Sequence, residues 1–209
     1  MKLLKTVTLA LFLLVVFSAP RQAEAQLLDY GFRAGMNISS VTNSVYRTDF
    51  MNGYHFGIFA SYNFRFLPIA IQPEMIYSQM GTKYDEIVLG FQSPRPATVR
   101  MNYIQLPVLL KAYLPIPGPV RPNLFGGPYA GFRSGTTFSI GGQEVPQAGD
   151  WYRDSDFGFM AGIGVRVRLM VVDLDLEARL QYGLENIFDE QFEYDEKHRV
   201  LSFSAGIVF

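Results

Sequence analysis

From Tyr30 onward the chain alternates between two kinds of residue. Between Tyr30 and Ile38 the even positions read Tyr30, Phe32, Ala34, Met36 and Ile38, and the odd ones Gly31, Arg33, Gly35 and Asn37. Such a period of two marks a strand with unlike faces, because successive side chains leave a pleated strand on opposite sides. Seven further runs repeat it: Tyr54 to Phe64, Ile69 to Tyr77, Ile104 to Ala112, Leu124 to Phe132, Phe157 to Val167, Val172 to Tyr182 and Leu201 to Phe209. In the seventh, Val172, Leu174, Leu176, Ala178, Leu180 and Tyr182 oppose Asp173, Asp175, Glu177, Arg179 and Gln181. Each run is close to the about 9–11 residues that a tilted membrane strand needs.

The connections carry a second pattern. Those after the second, fourth and sixth runs are shorter: Arg65 to Pro68, Tyr113 to Pro122 and Leu169 to Val171. Those after the first, third, fifth and seventh are longer and polar: Ser39 to Asn52, Gln79 to Val99, Ser134 to Asp156 and Glu185 to Arg199. Transmembrane barrels of bacterial outer membranes have short periplasmic turns and long extracellular loops. In a soluble barrel the apolar parity would point inward, around a ligand. Here the polar parity carries Gly31, Gly35, Gly57, Gly158, Gly162, Gly164 and Gly206 beside charges, which suits a narrow, crowded interior. The apolar parity instead has aromatics at both ends, with Tyr54, Tyr77, Phe132, Phe157 and Tyr182 near the long loops and Tyr30, Tyr62, Phe64 and Phe209 near the short turns. Aromatic girdles flanking an aliphatic band are the signature of a lipid-facing wall. The expected fold is all-β, an eight-stranded antiparallel up-and-down transmembrane β-barrel.

Composition narrows the function classes. Of the 209 residues 18% are charged and 15% aromatic, too apolar for a disordered chain. A net charge of −1 speaks against nucleic acid, whose phosphates select basic surfaces. With no cysteine, disulfides, thiolate metal sites and a lipoprotein anchor are excluded. The first 25 residues have the three parts of a secretory signal: basic Lys2 and Lys5, an apolar run from Val7 to Phe17, and the small-residue motif Ala23-Glu24-Ala25. Cleavage after Ala25 would leave residues 26–209 as the barrel domain, exported to the cell outer membrane.

Four motifs carry a family likeness. Gln72-Pro73-Glu74-Met75-Ile76-Tyr77-Ser78-Gln79-Met80-Gly81, Tyr103-Ile104-Gln105-Leu106-Pro107-Val108-Leu109-Leu110-Lys111, Gly127-Pro128-Tyr129 and Phe157-Gly158-Phe159-Met160-Ala161-Gly162-Ile163-Gly164 resemble the PorT-type outer-membrane β-barrel family. The likeness covers nearly the whole chain after the signal, with Gln105 standing where that family leads one to expect an acid. It implies insertion by the barrel-assembly machinery, with Phe209 closing the strand that signals assembly. A few relatives serve a protein secretion system, so the resemblance gives a fold more firmly than an activity.

Chemistry has to come from the lumen, the rim or the loops. Pairing Leu169 with Val172 across the sixth turn sets Arg168 opposite Asp173, Arg166 opposite Asp175, Gly164 opposite Glu177 and Gly162 opposite Arg179. With Arg33, Glu74, Lys111 and Arg133 on the same parity, this predicts a packed interior charge network. The two histidines, His55 and His198, are weak catalytic candidates at an outer rim, His198 with Ser202 and Glu193, or His55 with Asp49. The acidic run Glu185, Asp189, Glu190, Glu193, Asp195 and Glu196 lacks calcium-loop spacing, so no metal or other cofactor is expected. The leading expectation is a non-enzymatic structural or accessory barrel, in contact with membrane lipid and with a protein partner through long loops or periplasmic turns. The alternative is a barrel enzyme acting on lipid or surface peptide.

Overall fold

The computed structural model describes residues 27–42, 48–87, 95–145, 152–187 and 196–209. The signal segment, residues 1–25, lies outside them. The strands are β1 (Leu28–Thr42), β2 (Thr48–Asn63), β3 (Ile69–Ile87), β4 (Arg95–Tyr113), β5 (Val120–Ile140), β6 (Gln143–Glu144), β7 (Ser155–Arg168), β8 (Asp173–Gly183) and β9 (Lys197–Val208). Every pairing is antiparallel between chain neighbours, except that β6 is a two-residue hairpin arm on β5 and β7 also pairs with β5. β9 returns to β1, from Gly31↔Val208 to Thr42↔Lys197, so the eight long strands close into a barrel. Closure leaves no open edge along the sheet.

The apolar parity forms the outer wall. Phe32, Phe56, Ile58, Phe159, Ile163 and Leu180 are all about half exposed or more on it. Around its edges the aromatics gather: Phe56 lies 5.2 Å from Tyr77 at one end, and Tyr30 lies 5.8 Å from Phe209 at the other. Apolar side chains left this exposed make sense only where the surroundings are hydrocarbon. The other parity fills the lumen.

The strands are longer than the alternation alone predicts. β3 and β4 each run 19 residues and β5 runs 21, well past the upper aromatic ring. Much of the expected connections Gln79 to Val99 and Ser134 to Asp156 is therefore ladder. Beyond the lipid band the outer face turns polar, so the contrast between faces fades while backbone pairing continues. The β5–β6 hairpin turns at Gly141 and Gly142, whose φ values of 56° and 84° suit residues without a Cβ. Inside this extension Val41, Met80, Tyr84, Val99, Phe138 and Tyr152 pack into an apolar plug. Burial there holds the Tyr152 phenol above its ordinary pKa.

Candidate functional site

Below the apolar plug, towards the short turns, the lumen is ionic. Four cations (Arg33, Lys111, Arg166, Arg179) meet four carboxylates (Asp29, Glu74, Asp175, Glu177). They are brought together by inward parity on β1, β3, β4, β7 and β8. Arg179 donates to both oxygens of Glu74, Nη1 at 2.7 Å and Nη2 at 2.8 Å. Its Nε donates to Glu177 Oε2 at 2.7 Å. Arg33 grips the same Glu177 and stands 3.3 Å from Glu74 Oε1. Lys111 Nζ donates to Asp175 Oδ2 at 3.0 Å and to Glu177 Oε1 at 2.5 Å. Arg166 Nη1 reaches down to Asp29 Oδ2 at 2.7 Å, with Nη2 3.8 Å from Asp175.

Aromatic faces complete the packing. Phe59 lies under Arg33 at 4.5 Å, and Phe125 faces both Lys111 at 5.4 Å and Arg179 at 5.3 Å. Phe125 fits because Gly162 sits opposite Arg179: a Cβ at Gly162 would collide with the Phe125 ring. Gln72 donates to Glu74 at 2.5 Å. Charges this deep are tolerable because each carboxylate has a cation and each cation a carboxylate.

One layer higher the lumen is polar and neutral. Asn37 Oδ1 accepts from Ser202 Oγ at 2.8 Å and lies 2.8 Å from His55 Nδ1, while Asn37 Nδ2 donates to Ser78 Oγ at 3.0 Å. The space enclosed here, against Gln105, Met160 and Gln181, is about 10 Å³. That is no more than a single water needs.

The expected network is thus partly gathered and partly dispersed. Arg33, Glu74, Lys111, Arg166, Asp175, Glu177 and Arg179 converge. Arg133 does not: it shares their parity but stands eight residues above Phe125 on β5, about 27 Å along the strand. There it binds Asp154 Oδ1 at 2.5 Å and the Tyr152 carbonyl at 2.9 Å. Arg168 and Asp173 pair in register at the opposite mouth, with Arg168 exposed and no ion pair between them among the described residues. Asp29, which the alternation leaves one position outside the first run, is an inward odd-numbered residue that extending the parity would have found.

Neither histidine is at an open rim. His55 and His198 are both buried in the lumen, because the strands carrying them continue beyond the lipid band. His55 pairs with Gly35 and His198 with Val41, six positions apart on β1 and so about 20 Å apart along the strand. His198 Nε2 lies 3.3 Å from the Tyr103 hydroxyl. Ser202 serves Asn37 instead, and Asp49 pairs with Lys83. Glu193 lies outside the described residues, as does most of the acidic run, whose Glu196 accepts from Tyr84 at 2.7 Å. Among the described residues no cluster of His, Asp and Glu has the makings of a metal site.

A family model described as "Outer membrane protein beta-barrel domain" matches residues 21–189. Among solved structures, the chain is similar to Neisserial surface protein A at 16% identity and a TM-score of 0.54, over 88% of this chain and 96% of that one. It is also matched by OprG from Pseudomonas aeruginosa at 13% identity and a TM-score of 0.47, over 87% of this chain and 95% of that one. The attachment invasion locus protein Ail of Yersinia pestis matches at 17% identity and a TM-score of 0.43, over 88% of this chain and all of that one. No curated protein matches the chain. At such identities a structural likeness speaks for the fold alone.

Proposed function

Since the chain belongs to the outer membrane protein β-barrel domain family, we propose that it is a PorT-type, non-enzymatic member whose closed barrel serves as a structural or accessory component. Its place is the outer membrane, embedded in lipid. Residues 1–25 are the cleaved signal and residues 26–209 the barrel. The short turns face the periplasm and the extended strand ends face outward, the usual sense of such barrels. Phe209, stacked on Tyr30 across the seam, belongs to the strand offered to the barrel-assembly machinery.

One observation carries the reading: the neutral cluster of Arg33, Lys111, Arg166 and Arg179 with Asp29, Glu74, Asp175 and Glu177 occupies the lumen in the periplasmic half. An eight-stranded barrel is only wide enough for its own side chains, so a filled lumen has no room for a solute path. Its test is electrical. Purified protein in planar bilayers should give no steady conductance, and a large steady current would overturn the closed reading.

The enzymatic alternative rests on His55 and His198. Their separation in height and their burial favour packing roles. His55→Ala and His198→Ala should leave lipid A structure and surface proteolysis unchanged; altered products in either assay would revive the enzyme.

A further inference from the structure

The periplasmic turns are made of unusual residues. Two-residue hairpins favour Asn, Asp and Gly, which supply the required backbone angles and meet water. Here the β7–β8 turn is Met170-Val171, the β2–β3 turn carries Phe66-Leu67, and Ile116 lies in the β4–β5 turn between Pro115 and Pro117. Phe66 is 91% exposed and Met170 fully exposed.

These tips are also held in place. Tyr113 N–H donates to the Pro68 carbonyl at 2.7 Å, Arg168 N–H to the Pro119 carbonyl at 2.7 Å, and Leu169 N–H to the Val172 carbonyl at 3.1 Å. Each turn is thereby tied to its neighbour or closed on itself, which fixes the backbone from which the exposed apolar side chains project. Gathered exposed apolar side chains of this kind mark an interaction surface. Arginines punctuate the ring: Arg65 beside Phe66, Arg121 over Tyr113, and Arg168 at the start of the third turn. None of the three has an ion pair among the described residues: Asp29 at the same mouth is held by Arg166, and Asp173 stands in register with Arg168 without bonding to it, which leaves the ring positive on balance.

We propose that this ring is the docking surface for a periplasmic protein segment presenting apolar side chains interspersed with Asp or Glu. The proposal rests on the outer-membrane reading above, with the short turns in the periplasm. Two other occupants fit less well. A second copy in the same membrane turns its ring the same way and cannot face this one. Lipid is already matched by the belt between the aromatic girdles, whose alternating runs have about the 9–11 residues required, and the tips lie in the turns outside those strands. The unpaired arginines supply the charge that an acidic partner complements, which directs encounter and orientation.

A photo-crosslinking amino acid placed at Phe66, Ile116 or Met170 of the full chain in living cells reads the occupant directly, with Phe159 in the lipid belt as control. The expected result is a discrete protein adduct at the rim positions and none at Phe159. Mass spectrometry should map it to a partner segment that combines acidic and apolar residues. Arg65→Glu combined with Arg168→Glu should reduce adduct yield by about tenfold. Adducts with phospholipid alone would make the ring a lipid anchor and overturn the proposal. So would adducts indifferent to charge reversal, or no adduct at any of the three positions. Heat-modifiable gel mobility and bilayer conductance on the same variants report the barrel itself, so a failure of the closed-barrel reading is visible separately from a failure of docking.

Discussion

Arg179 and Glu74 are joined by two parallel hydrogen bonds, of 2.7 and 2.8 Å, between strands on opposite sides of the barrel. β8 and β3 are separated by β9, β1 and β2 in one direction and by β7, β5 and β4 in the other. The fork-to-fork contact is therefore a strut across the full width of the lumen, of the geometry that makes arginine–carboxylate pairs strong.

Removing one end of that strut strands the other. Arg179→Met should lower unfolding stability by about 3–5 kcal/mol, because Glu74 is left buried with reduced compensation. Adding Glu74→Leu should recover part of the loss by removing the stranded charge. Urea titration of detergent-refolded protein, followed by heat-modifiable mobility, measures both.

How much of this was legible beforehand depended on which coordinate was being read. The direction of each side chain was plain: the run from Val172 to Tyr182 assigns Asp175, Glu177 and Arg179 to the interior, and all three are buried. Local register was legible too, since the turn after Leu169 sets Arg166↔Asp175, Gly164↔Glu177 and Gly162↔Arg179. Height across non-adjacent strands was not. It follows from tilt and from bulges such as the shift between Asn102 and Tyr103, which leave no period in the sequence. Hence Arg133 shares the inward parity of Arg33, Glu74 and Arg179 on other strands yet ends far above them. The upper apolar plug stayed hidden for another reason: its residues are scattered over stretches whose outward positions are polar as well.

A charge on the outer wall tests the lipid face. Leu176→Arg should cost about 2–4 kcal/mol, since the position lies in the middle of the apolar belt. Met170→Arg, at a turn tip, should cost at most about 1 kcal/mol. Refolding yield into phospholipid vesicles, with a urea midpoint for each variant, separates the two.

The absence of cysteine offers a clean topology test. Gln143→Cys, beside the β5–β6 turn and exposed, should react with a membrane-impermeant maleimide on intact cells. Met170→Cys should react only after the outer membrane is permeabilised. The reverse labelling would turn the barrel over.

Gly162 is required by what stands beside it. Gly162→Val would drive side-chain atoms into the Ala178 carbonyl and the Phe125 ring, disturbing the β7–β8 ladder and displacing Phe125 from Lys111 and Arg179. Overpacking of this kind should cost about 1–3 kcal/mol, read from the same urea titration.

The ion cluster also constrains the order in which the barrel can be finished. The carboxylates paired with Lys111 among the described residues are Asp175 and Glu177, and Arg33 on the first strand draws on the same two besides Glu74. Both acids arrive on β8, next to last in the chain, so until that strand is in place the Lys111 ammonium must stay hydrated. A half-built barrel is accordingly a water-filled trough. Drying of the interior is the closing event of assembly, and an arrested intermediate lacking β8 would be distinguishable by rapid solvent exchange throughout the lumen.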